Sequence, residues 1–125
     1  CSIVSGWSDG KVRGFFPETG QLKFVISEAH TEGVTALDLL ESNSPGTPLQ
    51  IVTGGGKGRV RIWAITPSHQ RMIVNWKEHR NIVTSIKVIE GSNLCVSSSE
   101  DGSCIVWDIE KHTRLMAFFE TTVFK

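Results

Sequence analysis

No stretch of the 125 residues approaches the run of about 18 apolar side chains that a membrane-crossing helix needs. Charge of one sign is lacking too. Thirteen Lys and Arg balance 13 Asp and Glu, so bulk charge steers the chain to neither nucleic acid nor membrane. Cysteine is scarce, three in all, with no C-x-x-C pair. Cys95 and Cys104 flank a turn at Asp101-Gly102. Pairing Ser99 with Cys104 and Asp108 with Cys95 across it leaves the sulfurs about 13 Å apart at about 3.3 Å per residue, too far for a disulfide. A reducing compartment, the cytosol or an organelle continuous with it, is expected. The opening CSIVSGWSDG has no basic region followed by an apolar core, so it is not a signal peptide. It lacks an initiator Met and begins in mid-pattern, as expected of a fragment of a longer chain. Amphipathic 3.6-residue periodicity is also absent, and no helix is expected.

What the sequence does have is short β-branched runs between turns. SIVS (2–5) and KVRGFF (11–16) flank Gly6 to Gly10, where Asp-Gly between apolar runs signals a hairpin. Pro17 and Gly20 bracket a second turn, and QLKFVI (21–26) follows. GVTALDLL (33–40) is the next strand. Residues 41–50, ESNSPGTPLQ, hold two prolines and a glycine among small polar residues and read as a loop. IVTGG (51–55), RVRIWAI (59–65) and RMIVNW (71–76) repeat the pattern. The stretch from His79 to Asp108 supplies three more strands, and KHTRLMAFF (111–119) a last one. About eleven strands result: three in an incomplete first unit, then four and four.

The units share a register. His30 precedes His79 by 49 residues, and Trp63 precedes Trp107 by 44. Asp101, Lys57 and Asp9 each lie six residues before Trp107, Trp63 and Phe15, and Ser97, Thr53 and Ser5 each lie ten before. Strand-and-turn self-similarity with a period in the forties marks a propeller array. With His79, Ser97, Asp101 and Trp107, closed by Trp107-Asp108, the chain resembles the WD-repeat family of β-propellers. The resemblance implies an all-β fold of about two and three-quarter blades of four antiparallel strands. Blade 1 is partial (about 1–28), blade 2 covers about 29–77 and blade 3 about 78–119. It also implies that His79, Ser97, Asp101 and Trp107 form a buried hydrogen-bonded tetrad, Asp accepting from His, His reaching Ser, and Ser the indole. A blade packed on both faces must pair its polar groups internally. Blade 2 offers His30, Thr53 and Trp63, but Lys57 stands at the Asp position and is expected to point to solvent. Blade 1 has Phe15 at the Trp position. Ala29 and Glu78 replace the Gly that precedes the His in the family. The five extra residues between His30 and Trp63 fall in 41–50.

Other chemistry fits these residues poorly. Ser97, His79 and Asp101 suggest a hydrolase triad, but no nucleophile elbow or G-x-S-x-G is present and the tetrad spacing accounts for all three. GGGKGR (54–59) lacks the Ser or Thr after Lys and the following helix of a phosphate loop, so it reads as a β-turn. His69 and His112 have no metal-ligand spacing. No catalytic, cofactor or metal site is expected. The resemblance to a propeller implies that the His-bearing loops and the Asp-position turns share one rim. There Lys11, Lys57, Arg59 and Arg80 form a candidate basic edge for an acidic partner such as tubulin tails, and the 41–50 loop decorates the opposite face.

GWSDGKVRGFFPETGQL (6–22), AHTEGVTAL (29–37), VTGGGKGRVRIW (52–63), KEHRNIVTSIKV (77–88) and SEDGSCIVWDI (99–109) resemble a branch of the family found in motile cilia. The Gly-Trp and Pro-Glu-Thr-Gly elements lie outside the general repeat consensus. That resemblance implies a non-catalytic component of axonemal doublet microtubules, binding tubulin and neighbouring lumenal proteins, with no nucleic acid or membrane partner. The alternative is a generic adaptor such as a ubiquitin-ligase substrate receptor. Those often carry Arg two residues after Trp-Asp, where Glu110 and Thr66 stand here. Eleven strands cannot close a propeller, so the rest of a longer chain is expected to complete the ring.

Overall fold

Residues 2–40, 48–66 and 68–119 are described by the computed structural model, and they form eleven strands and no helix. The first sheet holds β1 (Ile3–Gly6), β2 (Val12–Phe15) and β3 (Leu22–Ile26). The second holds β4 (Val34–Leu40), β5 (Leu49–Gly55), β6 (Val60–Ile65) and β7 (Gln70–Trp76). The third holds β8 (Val83–Val88), β9 (Leu94–Ser99), β10 (Ser103–Asp108) and β11 (Thr113–Phe119). Within each sheet neighbours in sequence are neighbours in space, all antiparallel. Strand number and grouping are those the turn pattern implied.

Burial along each strand reports where its sheet sits. β5 is buried continuously from Ile51 to Gly55, because the second sheet is covered on both faces. β9 alternates, since the third sheet has one covered face. Two cores follow. Ile51, Trp63 and Ile65 of the second sheet meet Val12, Phe24 and Ile26 of the first. Val52, Val60 and Ile62 meet Cys95, Ile105 and Trp107 of the third. Trp63 therefore looks toward the first sheet and Trp107 toward the second: the aromatic-bearing face of a sheet always meets the back of the one before it. Asp38 ties the inner strands together, its Oδ2 accepting from the Val88 N–H at 2.7 Å.

Three local expectations need correction. Leu49 and Gln50 are not loop. They belong to β5, paired with Ile65 and Ala64, and Leu49 packs on the first core. The rest of the insert, 41–47, lies outside the described residues. The β9–β10 register is one residue off the expected one, with Ser98 opposite Cys104 and Trp107 opposite Cys95. The turn is not a two-residue Asp-Gly. Gly102 donates to the Ser99 carbonyl at 3.1 Å and sits at φ 86°, so three residues make the loop, with glycine in the left-handed bulge position. Cys95 and Cys104 then lie on opposite faces of the sheet, and both are free. The last strand begins at Thr113 rather than 111, because Lys111 and His112 turn the chain, His112 at φ 58°.

Candidate functional site

The third sheet contains a continuous buried polar chain. The Trp107 Nε1–H donates to Ser97 Oγ at 2.8 Å. Ser97 Oγ lies 2.7 Å from His79 Nε2. His79 Nδ1 lies 2.6 Å from Ser103 Oγ, which donates to the Asp101 carboxylate. An indole N–H can only donate and a carboxylate can only accept. The Asp101 end therefore fixes Ser103 and His79 Nδ1, and a neutral ring makes Nε2 the acceptor from Ser97. Ser103 gives its proton to Asp101 and accepts from His79 Nδ1–H, and Ser97 gives its proton to His79 Nε2. The imidazole is neutral and protonated at Nδ1, consistent with burial lowering its pKa against the opposing Asp101 charge.

This corrects the expected tetrad in one link. Asp101 Oδ2 is 3.8 Å from His79 Nδ1, beyond hydrogen-bond reach, and Ser103 bridges the gap. Asp101 also accepts from the Arg80 N–H at 2.6 Å and the Ser103 N–H at 2.7 Å. Burial alone would raise the Asp101 carboxyl, but those hydrogen bonds outweigh it and hold the group down to about 2. The repeat gives no sign of Ser103, since its counterparts two residues after Lys57 and Asp9 are Arg59 and Lys11, which cannot take this part. Ser97 is completely buried and its oxygen already carries the indole proton, so it has no face to offer an electrophile.

The second sheet keeps half of the chain. Trp63 Nε1–H donates to Thr53 Oγ1 at 3.0 Å, and Thr53 Oγ1 lies 2.8 Å from His30 Nε2. Gly55 leaves room for the ring, because a Cβ there would stand 2.4 Å from His30 Nδ1. Where Asp101 clamps the loop of the third sheet, Arg61 clamps this one from inside. Its Nη1 donates to the Ala29 carbonyl at 2.6 Å and its Nε to Asn75 Oδ1 at 3.1 Å. Lys57 is exposed as expected but not alone, pairing with Glu32 Oε2 at 3.6 Å. In the first sheet Phe15 takes no part in a polar chain. It is Trp7 whose Nε1–H donates to Ser5 Oγ at 2.8 Å, with the Arg13 guanidinium 4.5 Å over its ring. Arg13 in turn holds Asp9 at 3.0 Å. Neither Arg61 nor Trp7 was marked by spacing: Arg61 acts on a distant loop, and Trp7 bonds Ser5 from two residues away, off the aromatic position of the repeat.

Burial, with the Arg61 charge adding to it, lowers the His30 pKa to about 4. An unfolded His titrates near about 6.5, so between these values the unfolded chain binds more protons. Stability is therefore complete above about pH 6.5 and drains away as acid is added, by about 3 kcal/mol for this one group at about pH 4. His79, shifted in the same direction, adds to the loss. Denaturant titrations at about pH 7 and about pH 5 should show the midpoint falling, with a smaller fall in His30→Gln. A flat profile in the unaltered chain would contradict the neutral buried imidazoles.

The candidate basic rim is mixed in charge. Lys57 faces Glu32, and Arg80 lies beside Asp101, which accepts its N–H; Lys11 and Arg59 are half-buried. His69 is exposed and bonded to Thr66 and Ser68, and no group of three His, Cys, Asp or Glu among the described residues could hold a metal ion.

Residues 20–64 and 70–108 match the model of the WD domain, G-beta repeat. The chain is 41% identical over 124 residues to cilia- and flagella-associated protein 52 of Sus scrofa, covering 99% of the chain. It is 40% identical over 124 residues to the protein of the same name from Chlamydomonas reinhardtii, again over 99% of the chain. It spans about a fifth of the length of these curated relatives, 19% in each. Among solved structures it superposes on U3-55K with a TM-score of 0.80 at 20% identity, over 95% of this chain and 36% of that one.

Proposed function

The chain belongs to the WD40 family and its three sheets are part of a β-propeller; from that premise we propose that it is a non-catalytic scaffold segment of a ciliary or flagellar protein, a structural component of doublet microtubules. The observation that carries this reading is identity near 40% along essentially its whole length to proteins named for cilia and flagella, in a mammal and in an alga. The three sheets are read as consecutive blades, about 1–28, 29–77 and 78–119, within a longer ring. Both end faces support that reading. Ile3 and Leu22 are 55% and 54% exposed at one end, and Met116 and Phe118 are 52% and 56% exposed at the other. Large apolar side chains in such number on a sheet face ask to be covered.

Tubulin and other axonemal proteins are the partners of this reading. The rim bearing Lys11, Lys57, Arg59 and Arg80 is the surface offered to acidic tubulin tails. The experiment is localisation of the tagged full-length protein in ciliated or flagellated cells. Axonemal signal that survives detergent extraction is expected. Diffuse nuclear or cytosolic signal, removed by detergent, would overturn the ciliary reading.

A further inference from the structure

The turns at 55–59 and 99–103 are built alike. Gly58 and Gly102 donate to the carbonyls three residues back at 3.2 and 3.1 Å, with φ at 85° and 86°. In the third sheet Asp101 gives this turn an acceptor. One carboxylate oxygen takes the Arg80 N–H and the other the Ser103 N–H. In the first sheet Asp9 likewise takes the Lys11 N–H at 3.0 Å. In the second sheet Lys57 stands at that position, and an ammonium can only donate. The two matching main-chain groups, Thr31 N–H and Arg59 N–H, have no acceptor among the described residues.

A third donor lies behind them. Thr53 Oγ1 accepts from the Trp63 indole and lies 2.8 Å from His30 Nε2 but 3.5 Å from the Arg61 carbonyl. Its proton goes to the nearer acceptor, so the neutral His30 ring carries its hydrogen on Nδ1. His30 is 1% exposed, and that Nδ1 has no partner among the described residues. Its counterpart, His79 Nδ1, is relayed to a carboxylate by Ser103, where Arg59 offers no acceptor. An unanswered N–H on so buried a side chain is costly and uncommon. Charge points the same way. Lys57 and Arg59 belong to the turn, and Arg61 reaches the Ala29 carbonyl beside it. Glu32 is engaged by the Lys57 ammonium at 3.6 Å and by the Thr31 hydroxyl, and takes neither main-chain N–H.

We propose that this turn of the second sheet is a carboxylate-binding slot for an acidic peptide. One Asp or Glu side chain of the partner bridges the Thr31 and Arg59 N–H groups, as Asp101 bridges those of Arg80 and Ser103. Lys57 and Arg59 draw it in, and His30 Nδ1–H lies at its base. A planar carboxylate suits the place, since two N–H groups answer two oxygens. This deepens the rim reading above, on which it rests, by assigning one position within the rim. The partner supplies from outside what an aspartate supplies from inside in the next sheet.

The probe is a fluorescein-labelled hexaglutamate peptide, with hexaglutamine as control. Binding to the full-length protein is read by anisotropy at low ionic strength. Lys57→Asp returns an internal carboxylate to the slot. It should weaken hexaglutamate binding about tenfold and raise the melting temperature by about 2 °C. Arg80→Asp makes the same change of charge on the same rim, outside the slot, and should weaken binding no more than about threefold. Carbodiimide, which joins a carboxylate to an amine it touches, should link the peptide to Lys57 ahead of the exposed Lys77 and Lys87. Equal losses in the two variants, a lower melting temperature in Lys57→Asp, crosslinks spread evenly over those lysines, or equal binding of hexaglutamine would each overturn the slot. A phosphoserine peptide of equal charge that binds more tightly and displaces hexaglutamate would overturn the carboxylate assignment. Equal losses leave a diffuse basic rim standing, whereas no saturable binding of hexaglutamate removes the rim reading as well.

Discussion

Trp107→Ala should cost about 3–5 kcal/mol, enough to unfold a domain of ordinary stability. The side chain is fully buried, and its ring stacks on Trp76 with centroids 4.1 Å apart and an 11° interplanar angle. Truncation leaves a large cavity between the second and third sheets, where close packing cannot relax around it. It also takes the indole proton from Ser97 and frees one end of the polar chain. Trp107→Phe separates the two effects. It keeps most of the ring stack and loses the hydrogen bond, and should cost about 1–2 kcal/mol. Denaturant titration of the three proteins decides it. A loss below about 1 kcal/mol for Trp107→Ala would mean that this interface does not carry the weight the packing assigns to it.

Asp101→Ala should cost about 3 kcal/mol, and Lys57→Ala, at the same place in the repeat, less than about 0.5 kcal/mol. The asymmetry comes from what each side chain holds. Asp101 accepts from two main-chain N–H groups and one hydroxyl, and its loss strands the Arg80 N–H and reopens the proton order through Ser103 to His79. Lys57 makes one exposed ion pair at 3.6 Å, and the loop it would have clamped is held by Arg61. Arg61→Ala is then the true counterpart of Asp101→Ala. Equal losses at Asp101 and Lys57 would show that the two turns are clamped alike.

The strands and the Trp-bearing positions were legible because the signals are local and repeated: Gly-Asp-rich turns, β-branched runs, and a polar residue at a constant distance from an aromatic. Trp107, Ser97 and His79 are hydrogen-bonded in line, whereas Asp101 joins them through Ser103 and not directly. What could not be read were links across loops. Ser103 reaches His79 only because the turn before it is a three-residue bulge, and Asp-Gly in sequence does not distinguish that from a two-residue turn. Arg61 sits at a strand position where the sequence offers no sign of its acceptor, the Ala29 carbonyl on a distant loop. Trp7 looked like a turn aromatic, and its partner Ser5 was assigned to Phe15. For Ser103 with His79 and Arg61 with Ala29 the deciding contact joins segments whose separation the repeat does not fix; Trp7 and Ser5 are two residues apart, and there the local turn decides.

The constant orientation of the aromatic faces has a consequence for size. Every junction between sheets joins unlike surfaces, front to back, so no sheet can cap another by meeting it face to face. Adding a repeat covers one apolar face and presents a fresh one of the same kind. Such an assembly has no internal stop signal. The turning angle between neighbouring sheets must bring the last back to the first, and repeat number becomes a matter of geometry at the junctions. Both junctions are set at a glycine: a Cβ at Gly54 would stand 2.5 Å from Val83 Cγ1 and one at Gly6 2.5 Å from Val34 Cγ1, so either substitution would push the neighbouring sheets apart.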